Sequence, residues 1–188
     1  ESSPVSIINS SISGNSGYGI YHSGSEATII RCTISNNEAS TVNIYGGGGG
    51  INTESPTTII KTSITGNTGG GVFACCGADV TMDNVTITGN TTNNAAYGNG
   101  LLITGSSANQ ISVANSIIWG NDFGNITFDQ NGEGADGHVL NVNYSLVGGG
   151  QDSITTNGNT INWGSGNTDA APLFTDAANN DYTLLAGS

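Results

Sequence analysis

Lys and Arg together number two in this chain, Arg31 and Lys61, against 14 Asp and Glu and a formal charge of −12. Arg31 and Lys61 are the only candidate bases of that kind. Asp79 and Asp83 are the nearest pair of carboxylates for acid–base work. The run Asp129-Gln130-Asn131-Gly132-Glu133-Gly134-Ala135-Asp136 sets oxygen donors at alternate positions among glycines. Hard cations such as Ca²⁺ take oxygen ligands on flexible loops of this kind, so Asp129, Asn131, Glu133 and Asp136 form a candidate calcium set. It lacks the terminal bidentate Glu of a standard calcium loop. His22 and His138 are isolated and suggest no Ser-His-Asp arrangement. Cys32, Cys75 and Cys76 lack zinc spacing, and their odd number leaves at least one thiol unpaired within the chain. A bridge from Cys32 to Cys75 or Cys76 across neighbouring coils is one expectation, and three buried small hydrophobes is the plainer one.

These residues sit on a repeated unit. Thr57–Asn67 reads T-T-I-I-K-T-S-I-T-G-N, with variants at Val5–Asn15, Ala27–Asn37, Val80–Asn90 and Ile111–Asn121 and a shorter copy at Val142–Gly149. The closing asparagines Asn15, Asn37, Asn67, Asn90 and Asn121 are spaced by 22, 30, 23 and 31 residues. Periods of that size mark solenoids. No helical periodicity appears, whereas short β-branched runs ending in Gly-Asn read as strand and turn. The fold class is therefore all-β: a solenoid of about six coils, with loop insertions at one corner.

Column alignment predicts which side chains face inward. Ile12, Ile34, Ile64, Ile87 and Ile118 form one ladder, and Ile7, Ile29, Ile59, Met82 and Val113 another. Ser10, Cys32, Thr62, Val85 and Ser116 form a narrow inner column between them. Like residues then stack about 4.8 Å apart, each coil burying its apolar face only because its neighbours cover it. The column Asn9, Arg31, Lys61, Asn84, Asn115 breaks the alternation and predicts a bend, which places both cations at a solvent-facing corner. The closing asparagines predict a second corner and an asparagine ladder. A further strand opens after each at Gly19, Gly50, Gly71 and Gly100. Insertions at Glu38–Gly49 and Thr91–Asn99 each carry a tyrosine, Tyr45 and Tyr97, which mark them as candidate ligand-binding loops. Ser11, Thr33, Ser63, Thr86 and Ser13, Ser35, Thr65, Thr88 make two outward hydroxyl columns.

The T-I-x-N-S-x-I-x-G-N units followed by G-G-G-[IV] resemble right-handed parallel β-helix repeats of the pectate-lyase-like class. Ile117-Ile118-Trp119-Gly120-Asn121, Tyr144-Ser145-Leu146-Val147, Asp169-Ala170-Ala171-Pro172-Leu173-Phe174 and Asp181-Tyr182-Thr183-Leu184 resemble, in order, the end of β-helix domains in large secreted or cell-surface bacterial proteins. The resemblance implies one β-helix domain over residues 1–188, with repeat coils to 149 and a C-terminal coil and cap-like tail over 150–188. It also implies an extracellular location and a fragment of a longer protein. Enzymes of this fold are polysaccharide lyases and hydrolases, which need clustered carboxylates with a basic residue, or paired carboxylates about 5–10 Å apart. Arg31, Lys61, Asp79 and Asp83 do not form such a cluster in the aligned columns. The expected function is a non-catalytic structural or adhesive β-helix, with a polysaccharide-binding or polysaccharide-degrading module as the alternative. The hydroxyl columns also resemble the ice-binding face of some β-helix antifreeze proteins, departing from it at Ile117 and Trp119. Expected partners are a glycan or cell-surface ligand and further copies stacked end to end. The shortage of Lys and Arg opposes nucleic-acid binding, and no apolar run approaches the ~20 residues of a membrane span.

Overall fold

A computed structural model describes residues 3–39, 49–92, 100–129, 137–179 and 181–186. Tyr45 and Tyr97 lie outside them, as do Asn131, Glu133 and Asp136. Three parallel sheets, here A, B and C, wind around one core. Sheet A holds Val5–Ile8, Ala27–Ile30, Thr57–Ile60, Val80–Asp83, Gln110–Ala114, Val139–Asn143 and Thr160–Trp163. Sheet B holds Ser11–Ser13, Thr33–Ser35, Ser63–Thr65, Thr86–Thr88, Ile117–Trp119 and Leu146–Val147. Sheet C holds Ile20–His22, Ile51–Thr53, Val72–Ala74, Leu101–Ile103 and Ile126–Phe128. Successive strands pass A, B, C and back to A, as a parallel β-helix requires. Phe174–Asp176 and Asp181–Leu184 add an antiparallel hairpin. Among the described residues the only helical elements are two short 3-10 turns, Gln151–Ser153 and Ala177–Asn179.

The register reproduces the aligned columns. Ile29 pairs with Ile7 and Ile59, and Met82 with Ile59 and Val113. Ile34, Ile64, Ile87 and Ile118 are consecutive partners in sheet B and fully buried. Burying an isoleucine contributes about 1.5–3 kcal/mol, so these ladders supply much of the driving force. The columns extend into the shorter copy, to Val142 and Val147.

The bend between sheets A and B is a single left-handed residue in every coil. Asn9, Arg31, Lys61, Asn84, Asn115 and Tyr144 have φ between 48 and 56°. Asparagine tolerates that region better than most residues. Beside the bend, the small inner column does more than fill space. The amides of Cys32, Val85 and Ser116 donate to the hydroxyls of Thr62, Ser116 and Ser145 in the next coil, at 3.3, 3.0 and 3.2 Å.

The asparagine ladder closes the corner after sheet B. Each Nδ2 donates to the next Oδ1: Asn15 to Asn37 at 2.7 Å, Asn37 to Asn67 and Asn67 to Asn90 at 3.0 Å, Asn90 to Asn121 at 2.9 Å. Its second hydrogen reaches the preceding coil, as from Asn67 to the Ile34 carbonyl. Asn121 donates onward to Asn125, four residues later, which ends the run on the Gly148 carbonyl. A second polar ladder opens sheet A. Gly77 N donates to Asn109 Oδ1, Asn109 N to His138 Nδ1 and His138 N to Asn159 Oδ1, at 2.9, 3.1 and 3.0 Å. The acceptors differ from coil to coil, so sequence columns conceal it.

Two expectations are corrected. Cys32 forms no bridge: it is a buried free thiol facing the carbonyls of Ile7 and Ile30, on the inner side of the A–B bend. Cys75 and Cys76 are bonded to each other at the far end of a sheet C strand. The outward hydroxyl columns are not an open array either, because Thr65 and Thr88 are buried. The C-terminal hairpin reaches this face. A Cβ on Gly89 would lie 3.1 Å from the Tyr182 hydroxyl, whose ring packs edge-on against Phe174.

Candidate functional site

The charged residues singled out in the sequence do not converge. Arg31 and Lys61 are exposed on neighbouring coils at the left-handed bend. Asp79 Oδ1 accepts the Gln110 amide at 3.1 Å, and Asp83 Oδ1 accepts Asn115 Nδ2 at 2.7 Å. Each carboxylate therefore fastens its own coil to the next. Asp129, the described member of the calcium set, accepts a hydrogen bond from the Thr104 hydroxyl at 2.9 Å. Among the described residues no three His, Cys, Asp or Glu side chains gather as a metal site.

The residues that do converge lie on the outer face of sheet C. Alternation sends Ile20, Ile51, Val72, Leu101 and Ile126 into the core. The residue after each then points outward: Tyr21, Asn52, Phe73, Leu102 and Thr127, in register. Two positions further on, the next outward column passes through Ser23, Glu54, Cys75, Thr104 and Asp129. Outward residues of a solenoid are usually wet, yet Phe73 and Leu102 are buried and pack with Cys75 in a small apolar cluster of their own.

Tyr21 stands at the edge of this cluster and is 56% exposed. Its ring stacks on Tyr18, with centroids 6.0 Å apart and planes inclined by 29°. The Glu54 carboxylate beside its hydroxyl raises the Tyr21 pKa above the ordinary 10.0, an effect that the Ser23 hydroxyl partly offsets. Between Tyr21 and Phe73 sits Asn52, only 6% exposed, whose Oδ1 has no hydrogen-bond partner. A buried acceptor left unpaired costs about 1–3 kcal/mol, and native structures seldom carry one without a use for it. The face thus offers an aromatic platform and a carboxylate, with an unpaired amide oxygen buried beside them.

The raised Tyr21 pKa has a sign that can be checked. The neutral phenol is favoured in the folded chain, so whatever the contact contributes is present below pH 10 and is lost as pH rises through the raised value. Tyr182 also titrates high, because it is partly buried. In an ultraviolet titration the tyrosines should therefore not ionise together. Glu54→Gln should return one lagging tyrosine towards ordinary behaviour. An unchanged titration curve would remove Glu54 from the site.

None of Tyr18, Tyr21, Asn52 or Glu54 stood out in the sequence. The signal that could have found them was the alternation after Gly19-Ile20 and Gly50-Ile51, which turns Tyr21 and Asn52 outward on adjacent strands.

Comparison with known proteins places most of the coil in one group. The family described as right handed beta helix region matches residues 1–161. No curated protein and no solved structure matches the chain.

Proposed function

Since the chain belongs to the right-handed β-helix family, we propose that it is a non-catalytic extracellular scaffold whose sheet C face holds a neutral glycan. The observation that carries this reading is the stacked pair Tyr18–Tyr21 beside the Glu54 carboxylate. A pyranose ring presents C–H bonds from one face and hydroxyl donors from its rim. The electron-rich face of an aromatic ring attracts the first. The Glu54 carboxylate beside Tyr21 accepts the second in charge-assisted hydrogen bonds. A formal charge of −12 repels acidic polysaccharides and favours neutral ones.

The scaffold reading draws on the bend that carries Arg31 and Lys61. Both stand where Asn9, Asn84 and Asn115 stand in other coils, and Asp79 and Asp83 are occupied in holding coils together.

Binding of cellohexaose, xylohexaose and polygalacturonate, measured by calorimetry, tests the proposal. The two neutral oligomers should bind and the polyanion should not. Tyr21→Ala should weaken binding by about tenfold or more, which corresponds to ~1.4 kcal/mol. Tyr21→Phe keeps the stack and should cost less. Cleavage of any of the three that depends on Arg31 or Lys61 would overturn the non-catalytic reading, and failure to bind all three would overturn the glycan.

A further inference from the structure

The bonded pair Cys75–Cys76 belongs to the same face. Cys75 follows the strand Val72–Ala74, and its amide donates to the Thr53 carbonyl at 3.1 Å, which sets it beside Glu54 of the neighbouring coil. Cys75 is buried against Phe73 and Leu102, and Phe73 is the register partner of Asn52. Cys76 is exposed and has φ 65°. The following coil closes over its backbone: a Cβ on Gly105 would lie 2.6 Å from the Cys76 nitrogen. One half of the bridge is thus packed against Phe73 and Leu102, and the other half belongs to an exposed residue.

We propose that Cys75–Cys76 is a thiol-exchange site, opened by a dithiol in the folded protein, and that opening it loosens the floor of the Tyr21–Asn52 site. The chemistry stands on its own geometry, and the consequence for binding rests on the glycan reading above. A dithiol thiolate attacks the Sγ of Cys76, the exposed residue of the pair. The S–S bond breaks, and its electron pair leaves on Cys75 Sγ, which takes up a proton. The second thiol of the reagent, as thiolate, attacks its own sulfur in the mixed disulfide and releases Cys76 as a thiol. The protein gains two electrons and two protons, and the reagent leaves as a cyclic disulfide. Attack in this order needs an accessible sulfur, and exposed bridges are the labile and regulatory ones. Once open, Cys75 is an ordinary rotor, and the small ring that fixes the Cys75–Cys76 peptide unit at the start of the turn to Val80 is gone. The Phe73–Leu102 cluster then loses a fixed neighbour.

Cys32 is the internal control, because its free thiol is buried on the inner side of the A–B bend. The folded protein is treated with dithiothreitol, then iodoacetamide, and digested for mass spectrometry. Cys75 and Cys76 should both be alkylated and Cys32 should not. Amide hydrogen exchange over residues 72–79 and 101–105 should quicken by about tenfold in the reduced form. Cellohexaose affinity should fall by about fivefold or more as the competent arrangement becomes less populated. The double variant Cys75→Ser, Cys76→Ser should match the reduced protein in exchange and be indifferent to dithiothreitol. Thiols that stay unlabelled until the protein unfolds would overturn the proposal. So would full labelling with no change in exchange. A protein that binds no cellohexaose in either state refutes the glycan reading, and labelling and exchange still decide the thiol site.

Discussion

Replacing Asn90 with alanine should remove about 3–5 kcal/mol of stability, among the largest losses expected from a single polar side chain here. Asn90 Oδ1 accepts both the main-chain N–H and the Nδ2 of Asn67, at 3.0 Å each. Its Nδ2 donates to the Ile64 carbonyl at 3.0 Å and to Asn121 Oδ1 at 2.9 Å. Asn90 itself is completely buried, as is Asn67. Truncation takes the acceptor from the Asn67 main-chain N–H and from one hydrogen of its Nδ2, and a donor from the Ile64 carbonyl, in a place that water reaches poorly. Each such group costs about 1–3 kcal/mol, against a total stability of about 5–15 kcal/mol for a domain of ordinary size. The companion change Asn15→Ala calibrates the effect. Asn15 is exposed at the edge of the first coil and joins the ladder on one side only, so its loss should stay near 1 kcal/mol. Urea denaturation followed by circular dichroism reads both. Equal midpoints for the two variants would mean that the ladder acts by repetition of shape and not by satisfying buried main-chain groups.

The contrast between Asn15 and Asn90 also shows what sequence reading reaches. The inner ladders were legible because each coil spends the same residue at the same place: Ile64 above Ile34, Asn67 above Asn37, a residue that tolerates the left-handed region at the bend. Repetition reveals a column without any knowledge of contacts. The Asn109–His138–Asn159 ladder stayed hidden for the converse reason. An amide oxygen and an imidazole nitrogen can each accept the same N–H, so selection for the bond leaves no common letter. The sheet C face was hidden because it is not repetitive at all. Tyr21, Asn52, Phe73 and Leu102 occupy one column with four side-chain types. Their register also depends on counting across insertions of unequal length.

That division has a functional sense. Positions that every coil must solve alike become ladders, and they announce the fold. A ligand contacts one or two coils and breaks the repeat, so binding residues are sought where a column changes type without a packing reason. Asn52 is the clearest case. An apolar residue would suit a position flanked by Phe73, and the asparagine found there carries a buried oxygen with no partner. The Cys75–Cys76 bond was illegible on different grounds. The expectation of a long-range bridge assumed that stacked coils bring inner cysteines together, but Cys32 faces the core and Cys75 faces outward.

Gly71→Ala should destabilise the chain by about 1–3 kcal/mol or more, reversing the usual sign of the substitution. Where the backbone accepts a side chain, Gly→Ala stabilises by about 0.4–1 kcal/mol through the unfolded state. At Gly71 the added Cβ would stand 2.7 Å from the Gly100 carbonyl oxygen, 2.7 Å from Ile87 Cγ2 and 3.0 Å from Asn90 Nδ2. The coil above, the core ladder and the asparagine ladder all meet there, so overpacking strains three systems together. Gly17 offers the matched control. Nothing lies within 4 Å of a Cβ built on it, so Gly17→Ala should be neutral or slightly stabilising. The double variant Gly71→Ala, Asn90→Ala separates the causes. If contact with Asn90 carries much of the strain, removing that side chain relieves it, and the double variant loses less than the two single losses combined. Strict additivity would place the strain on the Gly100 carbonyl and Ile87 alone. A Gly71→Ala protein as stable as the parent would mean that adjacent coils separate at little cost. The same finding would undo the claim that a side chain at this step is excluded by the close approach of one coil to the next.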